Sequence, residues 1–106
     1  MVNESQMSGA WVYILRCADD SYYTGLTWQT EPEAREWEHN EGIYKDSYTS
    51  TRRPVKLAYA ENFELVADAI AAERRIKGWS RRKKEALMAG DWQKLVELSR
   101  RRGGQL

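Results

Sequence analysis

In 106 residues the chain has one cysteine, Cys17, and one histidine, His39. A lone cysteine cannot close an internal disulfide. Together the two cannot supply the four protein ligands of a structural zinc site, so neither staple is available to this fold. No apolar run approaches the roughly 18 residues that mark a membrane span. The opening "MVNESQMSGA" lacks both a basic start and an apolar stretch behind it, so no secretory signal is predicted either. A reducing cytoplasm is the expected location. Repeats of solenoid length and low-complexity linkers are also missing, and the length suits one domain with one modest core.

What the sequence does have is charge, unevenly placed. The net charge is only +1, but residues 1–72 carry 6 Lys/Arg against 12 Asp/Glu, and residues 73–106 carry 11 against 4. A basic second half is either a solvated helical face or the footprint of a phosphate-binding surface.

Hydrophobic periodicity and punctuation give an order of elements. Residues 1–9 read as a loose tail, 10–90 as the folded domain and 91–106 as a basic helix and tail. "WVYILRC" and "SYYTGLTW" predict two strands joined at "ADDS". "PEAREWEHNEG" predicts a short helix, opened by Pro32, with acids in its first turn and Gly42 as its stop. "IYKDSYTSTRRP" has turn formers and no period, so it reads as a loop, and "VKLAYAENF" alternates as a third strand. "ELVADAIAAERRIKGW" predicts the main helix, ending at Gly78; Ser80 and Asp91 then cap two more. The order β-β-α-β-α-α-α predicts a small α+β domain, a three-stranded antiparallel sheet flanked by helices.

Several residues sit oddly in this scheme. Val66, Ala69, Ile70, Glu73, Ile76 and Lys77 share one helical stripe, which places the carboxylate of Glu73 in an apolar face. It is either a surface glutamate paired with Lys77 or a metal ligand aimed into a cleft. Arg35 and His39, four apart, project from one face of the short helix. The two tyrosine triplets, "VYI" at 12–14 and "YTG" at 23–25, either fill a core or direct two phenols at one site. Loop parity decides. A two-residue loop at Asp19 and Asp20 pairs Ala18 with Ser21 and puts the phenols on opposite faces. A three-residue loop pairs Cys17 with Ser21, puts them on the same face and requires Asp20 in the left-handed region.

Taken in order, "VYI", "YTG", Arg35 followed by "EHNEG", "YTSTRRPVKLAYAENF" at 48–63 and "AIAAERRIKGWSRRKKEAL" at 69–87 resemble the GIY-YIG nuclease superfamily, in particular its small stand-alone bacterial members. The resemblance spans roughly residues 10–90. It implies a compact domain that cleaves a phosphodiester in DNA with one divalent metal, magnesium or manganese. Carried over by position, Tyr13 and Tyr23 are the triplet tyrosines, Gly25 the second-triplet glycine, Arg35 the helix arginine, His39 a histidine common in the small members, Glu73 the metal glutamate and Tyr48 the tyrosine that opens the loop before the third strand. This chain departs from the pattern with Leu26, where several relatives have lysine, and with Glu36, where an aliphatic residue is common.

The chemistry suits these residue types. Magnesium keeps most of its waters and needs few protein carboxylates, so a single Glu73 suffices. Arg35 can hold a phosphate oxygen with a planar fork. A phenol of ordinary pKa is a poor base at neutral pH, so either Tyr13 or His39 takes the proton of the attacking water. DNA contact is expected to run from Arg35, Tyr48, Arg52 and Arg53 toward Lys77, Arg81, Arg82 and Lys83, with any finer specificity supplied by a protein partner. The expected activity is metal-dependent, structure-selective DNA cleavage. The rival readings are a catalytically weak binding or docking module on the same fold, and a structural domain in which the tyrosines only pack.

Overall fold

A computed structural model describes residues 9–104 except residue 29. The loose tail expected over residues 1–9 thus lies, but for its last residue, outside the described residues. The elements follow the predicted order: β1 (Ala10–Arg16), β2 (Tyr22–Thr27), α1 (Pro32–Asn40), a short 3-10 turn (Tyr48–Thr51), β3 (Lys56–Phe63), α2 (Val66–Lys77), α3 (Arg81–Ala89) and α4 (Trp92–Gly104). The strands form one antiparallel sheet in the order β2-β1-β3. Among the described residues, no helix is long and apolar enough to cross a membrane.

The middle strand explains the two-sided core. β1 alternates, and both of its faces are covered. Ala10, Val12 and Ile14 pack with Leu26, Tyr59 and Phe63 under Ala69, Ala72 and Ile76 of α2 and Leu87 of α3. Tyr13, Leu15 and Cys17 face the other way, with Tyr23, Val55 and Leu57. Val12, Ile14 and Leu15 are fully buried, and burial of such side chains stabilises by about 1.5–3 kcal/mol each. Two alanines on the inner face of α2 let that helix lie close to the sheet.

The buried line of α2 is Ala69, Ala72 and Ile76, not the full stripe read from the sequence. Glu73 sits at its margin and Lys77 is turned outward, with side-chain exposures of 14% and 61%. The segment read as a loop contains the 3-10 turn, because the Ser47 hydroxyl accepts the Thr49 amide at 3.3 Å and starts one. The helix ends are as expected: Ser80 Oγ accepts the Lys83 amide at 3.3 Å, and Asp91 Oδ1 accepts the Lys94 amide at 3.0 Å.

The β1–β2 hairpin has the three-residue loop. The Cys17 amide donates to the Ser21 carbonyl at 2.8 Å and Asp20 adopts φ 69°. Tyr13 and Tyr23 therefore share a face, with ring centroids 6.4 Å apart. Since an L-residue is strained there and glycine is not, Asp20→Gly is expected to be neutral or to stabilise by on the order of 0.5 to 1 kcal/mol at most. Its exposed pair with Arg16 contributes little against that gain. A clear drop in the urea midpoint of this variant would contradict the strain argument.

Candidate active site

An open cavity of about 440 Å³ lies over the Tyr13 face of the sheet, lined by Tyr13, Tyr23, Leu26, Arg35, His39, Tyr44, Ser47 and Tyr48. Three segments build it. The hairpin supplies Tyr13 and Tyr23; α1 supplies Arg35 and His39 one turn apart; and the segment after Gly42 supplies Tyr44, Ser47 and Tyr48. Gly42, at φ 75°, ends α1 and turns the chain back toward the site.

Tyr13 and His39 meet inside, each 3% exposed. The Tyr13 hydroxyl lies 3.5 Å from His39 Nε2, and His39 Nδ1 lies 2.6 Å from Thr49 Oγ1. Burial raises the Tyr13 phenol well above its ordinary value; neighbouring Tyr23 adds to this, and the positive charge of Arg35 works against it. Tyr13 is therefore a protonated phenol and a donor. Burial, with help from Arg35, lowers His39 below its ordinary value against the opposing pull of Glu38, so the imidazole is neutral at pH 7. A donor phenol facing Nε2 assigns the proton of the neutral ring to Nδ1, where Thr49 accepts it.

Tyr13 reaches this position because of Gly25. The two are paired across the sheet, and a Cβ on Gly25 would stand 2.4 Å from Tyr13 Cζ. Only the bare backbone leaves room for the ring. Leu26, on the opposite face of β2, packs into the cluster under α2 yet also lines the cavity. The cavity thus reaches the edge of the sheet that α2 covers.

Of the residues expected at the site, the structure brings Tyr13, Tyr23, Arg35, His39 and Tyr48 together around one cavity. Glu73 is not among the lining residues; its carboxylate lies on α2 and pairs with Lys77 at 3.0 Å. Tyr48 is 44% exposed, stacks near Tyr23 at 6.5 Å, and carries the Arg52 guanidinium 3.7 Å over its ring. Arg52 also donates to Asp19 at 3.0 Å, and Arg53 donates to the Asn40 carbonyl at 3.0 Å. Arg81 pairs with Glu85 at 3.0 Å, donates to the Asp20 carbonyl and covers the Tyr22 ring. Arg82 is exposed, whereas Lys83 is buried with its ammonium 4.6 Å over the Trp79 ring.

Four residues of the site escaped sequence reasoning. Thr49 fixes His39, Ser47 supports Thr49 at 3.1 Å, and Glu38 and Tyr44 hold Arg35. The one available signal was Glu38, three residues after Arg35 on the same helical face. The unexpected Glu36 also has a local role: its carboxylate accepts the Leu57 amide at 2.6 Å, satisfying a β3 edge donor that an aliphatic residue would leave unmet.

Comparison with known proteins agrees with this geometry. The GIY-YIG catalytic domain model matches residues 9–86, a range that holds the expected site residues and stops before α4. A UPF0213 protein of Listeria monocytogenes is 47% identical over 76 residues, covering 72% of this chain and 82% of that one. One from Natronomonas pharaonis is 41% identical over 81 residues, covering 76% and 92%. Two solution NMR structures share the fold. UPF0213 protein BH0048 from Bacillus halodurans superposes with a TM-score of 0.50 at 36% identity, covering 86% of this chain and 97% of that one. EF2693 from E. faecalis gives 0.53 at 38%, covering 77% and 84%. With the matched range spanning the sheet, the cavity and α2, the chain belongs to the GIY-YIG family, a nuclease-type domain family.

Proposed function

We propose that the protein is a metal-assisted endonuclease that hydrolyses phosphodiester bonds in DNA and selects its substrate by structure more than by base sequence. The observation that carries this reading is the meeting of the Tyr13 hydroxyl with His39 Nε2 beside Arg35 in one open cavity. Phosphodiester hydrolysis needs a proton acceptor for the attacking water and a cation for the phosphoryl oxygens. Both are present within a few side chains.

We infer magnesium or manganese as the metal. Glu73 offers one largely buried carboxylate, carried on α2 outside the cavity lining. A small hard cation that keeps most of its waters needs little more from the protein. Glu73 would hold it, and the bound ion would polarise the phosphoryl group and relieve charge on the leaving oxygen.

The remaining steps belong to the chain's own residues. Arg35 binds and orients a phosphoryl oxygen. The attacking water gives its proton to the Tyr13 oxygen as the Tyr13 proton passes to His39 Nε2, and the resulting imidazolium is stabilised by Thr49 and by the negative charge of Glu38. The 3.5 Å separation is at the outer end of hydrogen-bond range, and such contacts shorten when substrate closes the site. Tyr23 helps hold the rings in place. Phosphate contacts away from the cleavage point fall to the exposed cations, Arg82 first, and a protein partner would add specificity that so small a surface lacks.

The test is a cleavage screen on branched, flapped and single-stranded DNA in magnesium, in manganese and in EDTA. Cleavage of at least one substrate that depends on the added metal supports the proposal. Failure to cut any of them in either metal contradicts it.

A further inference from the structure

Arg35 is held at two points of its guanidinium. Its Nε donates to Thr27 Oγ1 at 3.1 Å, and its Nη1 donates to Glu38 Oε1 at 2.9 Å and to the Tyr44 hydroxyl. Tyr44 in turn donates to the same Glu38 oxygen, closing a triangle. Thr27 is 1% exposed and its own hydroxyl donates to the Thr30 carbonyl at 3.0 Å, so its lone pair is left for Arg35. Nε and Nη1 lie on opposite sides of the guanidinium fork. Bonds at both stop rotation of the group and leave Nη2, between them, with no acceptor among the described residues.

Resting on the proposed phosphodiester chemistry, we propose that Glu38 and Tyr44 are positioning residues, a brace that fixes the Arg35 guanidinium against Thr27 and presents Nη2 to a phosphoryl oxygen of the substrate. The alternative for a carboxylate beside a phosphate-binding arginine is competition, with Glu38 standing in the phosphate's place. The geometry favours the brace. A competing anion would take two parallel donors of the fork, as phosphate does, whereas Glu38 takes one donor with one oxygen and shares that oxygen with Tyr44. The Tyr44 hydroxyl, followed by Arg35, holds the Glu38 carboxyl below its ordinary range, so the brace stays charged through the neutral range. The Tyr44 ring also lies against His39, with centroids 4.7 Å apart, which ties the arginine brace to the proton acceptor.

The test uses the full chain and two variants, Glu38→Ala and Tyr44→Phe. Glu38 is on the partly exposed side of α1 and alanine suits a helix, so the first should fold; the second removes a single oxygen. In nitrogen-15 NMR of the protein without DNA, hindered rotation should give separate Nη signals for Arg35 in the wild type, and these should merge in Glu38→Ala and move toward merging in Tyr44→Phe. In cleavage assays on the best DNA substrate, kcat should fall roughly tenfold to a hundredfold in Glu38→Ala while KM stays within about threefold, since misplacing a reacting group costs turnover more than binding. Arg35 signals unchanged in both variants would overturn the proposal, as would tighter DNA binding with faster cleavage in Glu38→Ala, the result a competing carboxylate gives. The NMR comparison needs no substrate, so it decides the brace even where the wild type cleaves no DNA, an outcome that would count against the nuclease reading alone.

Discussion

Glu73→Ala is expected to abolish metal-dependent cleavage while leaving the fold and most of the DNA affinity in place. The separation follows from where Glu73 sits. It is at the margin of the apolar line of α2 and pairs with Lys77, one turn away, at 3.0 Å. An ion pair of that spacing contributes about 0.3–0.5 kcal/mol to a helix, and alanine returns part of that through its higher helix propensity. Unfolding therefore cannot account for a lost activity. As the proposed holder of the metal, by contrast, Glu73 has no substitute within the cavity lining. Circular dichroism should match the wild type, the DNA binding isotherm should move little, and turnover should vanish. Wild-type cleavage by Glu73→Ala in magnesium would remove Glu73 from the site.

Gly25→Ala is expected to damage both stability and activity through one side chain. The added methyl would sit 2.4 Å from Cζ, 2.5 Å from Oη and 2.9 Å from Cε1 of Tyr13. These atoms cannot simply swing aside, because Tyr13 is buried between the sheet, Tyr23 and His39. Overpacking of this kind costs about 1–3 kcal/mol. Whatever shift relieves it carries the Tyr13 hydroxyl away from His39 Nε2, and a misplacement near 1 Å can cost about 10²-fold in turnover. Denaturant midpoints and kcat should fall together. Wild-type turnover in this variant would show that the ring position does not matter to the chemistry.

The element order was legible because punctuation in this chain agrees with periodicity. Ser80 and Asp91 cap where their side chains can reach the third amide, and the unbroken apolar run "WVYIL" fits a strand buried on both faces. The hairpin was legible at a finer level, since parity ties the shared face of Tyr13 and Tyr23 to a three-residue loop and thus to positive φ at Asp20. The parts that stayed hidden depend on contacts between segments. Thr49 lies ten residues after His39 in a stretch without period, and nothing local says that its hydroxyl will meet an imidazole. Tyr44 belongs to the same stretch and matters only because Gly42 folds it back onto Arg35 and Glu38. Nor does composition show that Lys83 covers Trp79 while Arg82 faces solvent. A charge count gives the sign of a surface without saying which cations are free to use it.

Acidification links the site to stability as well. His39 is held below its ordinary value in the folded chain, so the unfolded chain binds its proton more tightly. The contribution of neutral His39 to stability is complete above the unfolded value of about 6.5 and is lost as pH falls through the lower folded value. Mild acid should weaken the fold and the proposed catalysis over the same range.

The central claim, that neutral His39 takes the proton through a protonated Tyr13, is tested most directly by the pH dependence of kcat/KM for DNA cleavage at saturating magnesium. The rate should rise with pH below about 6.5, as the imidazolium of the free enzyme loses its proton, and then stay level from about pH 7 to about pH 9. A rate that climbs without a plateau through about pH 10, tracking the ionisation of a phenol, would contradict the account and make the Tyr13 phenolate the base.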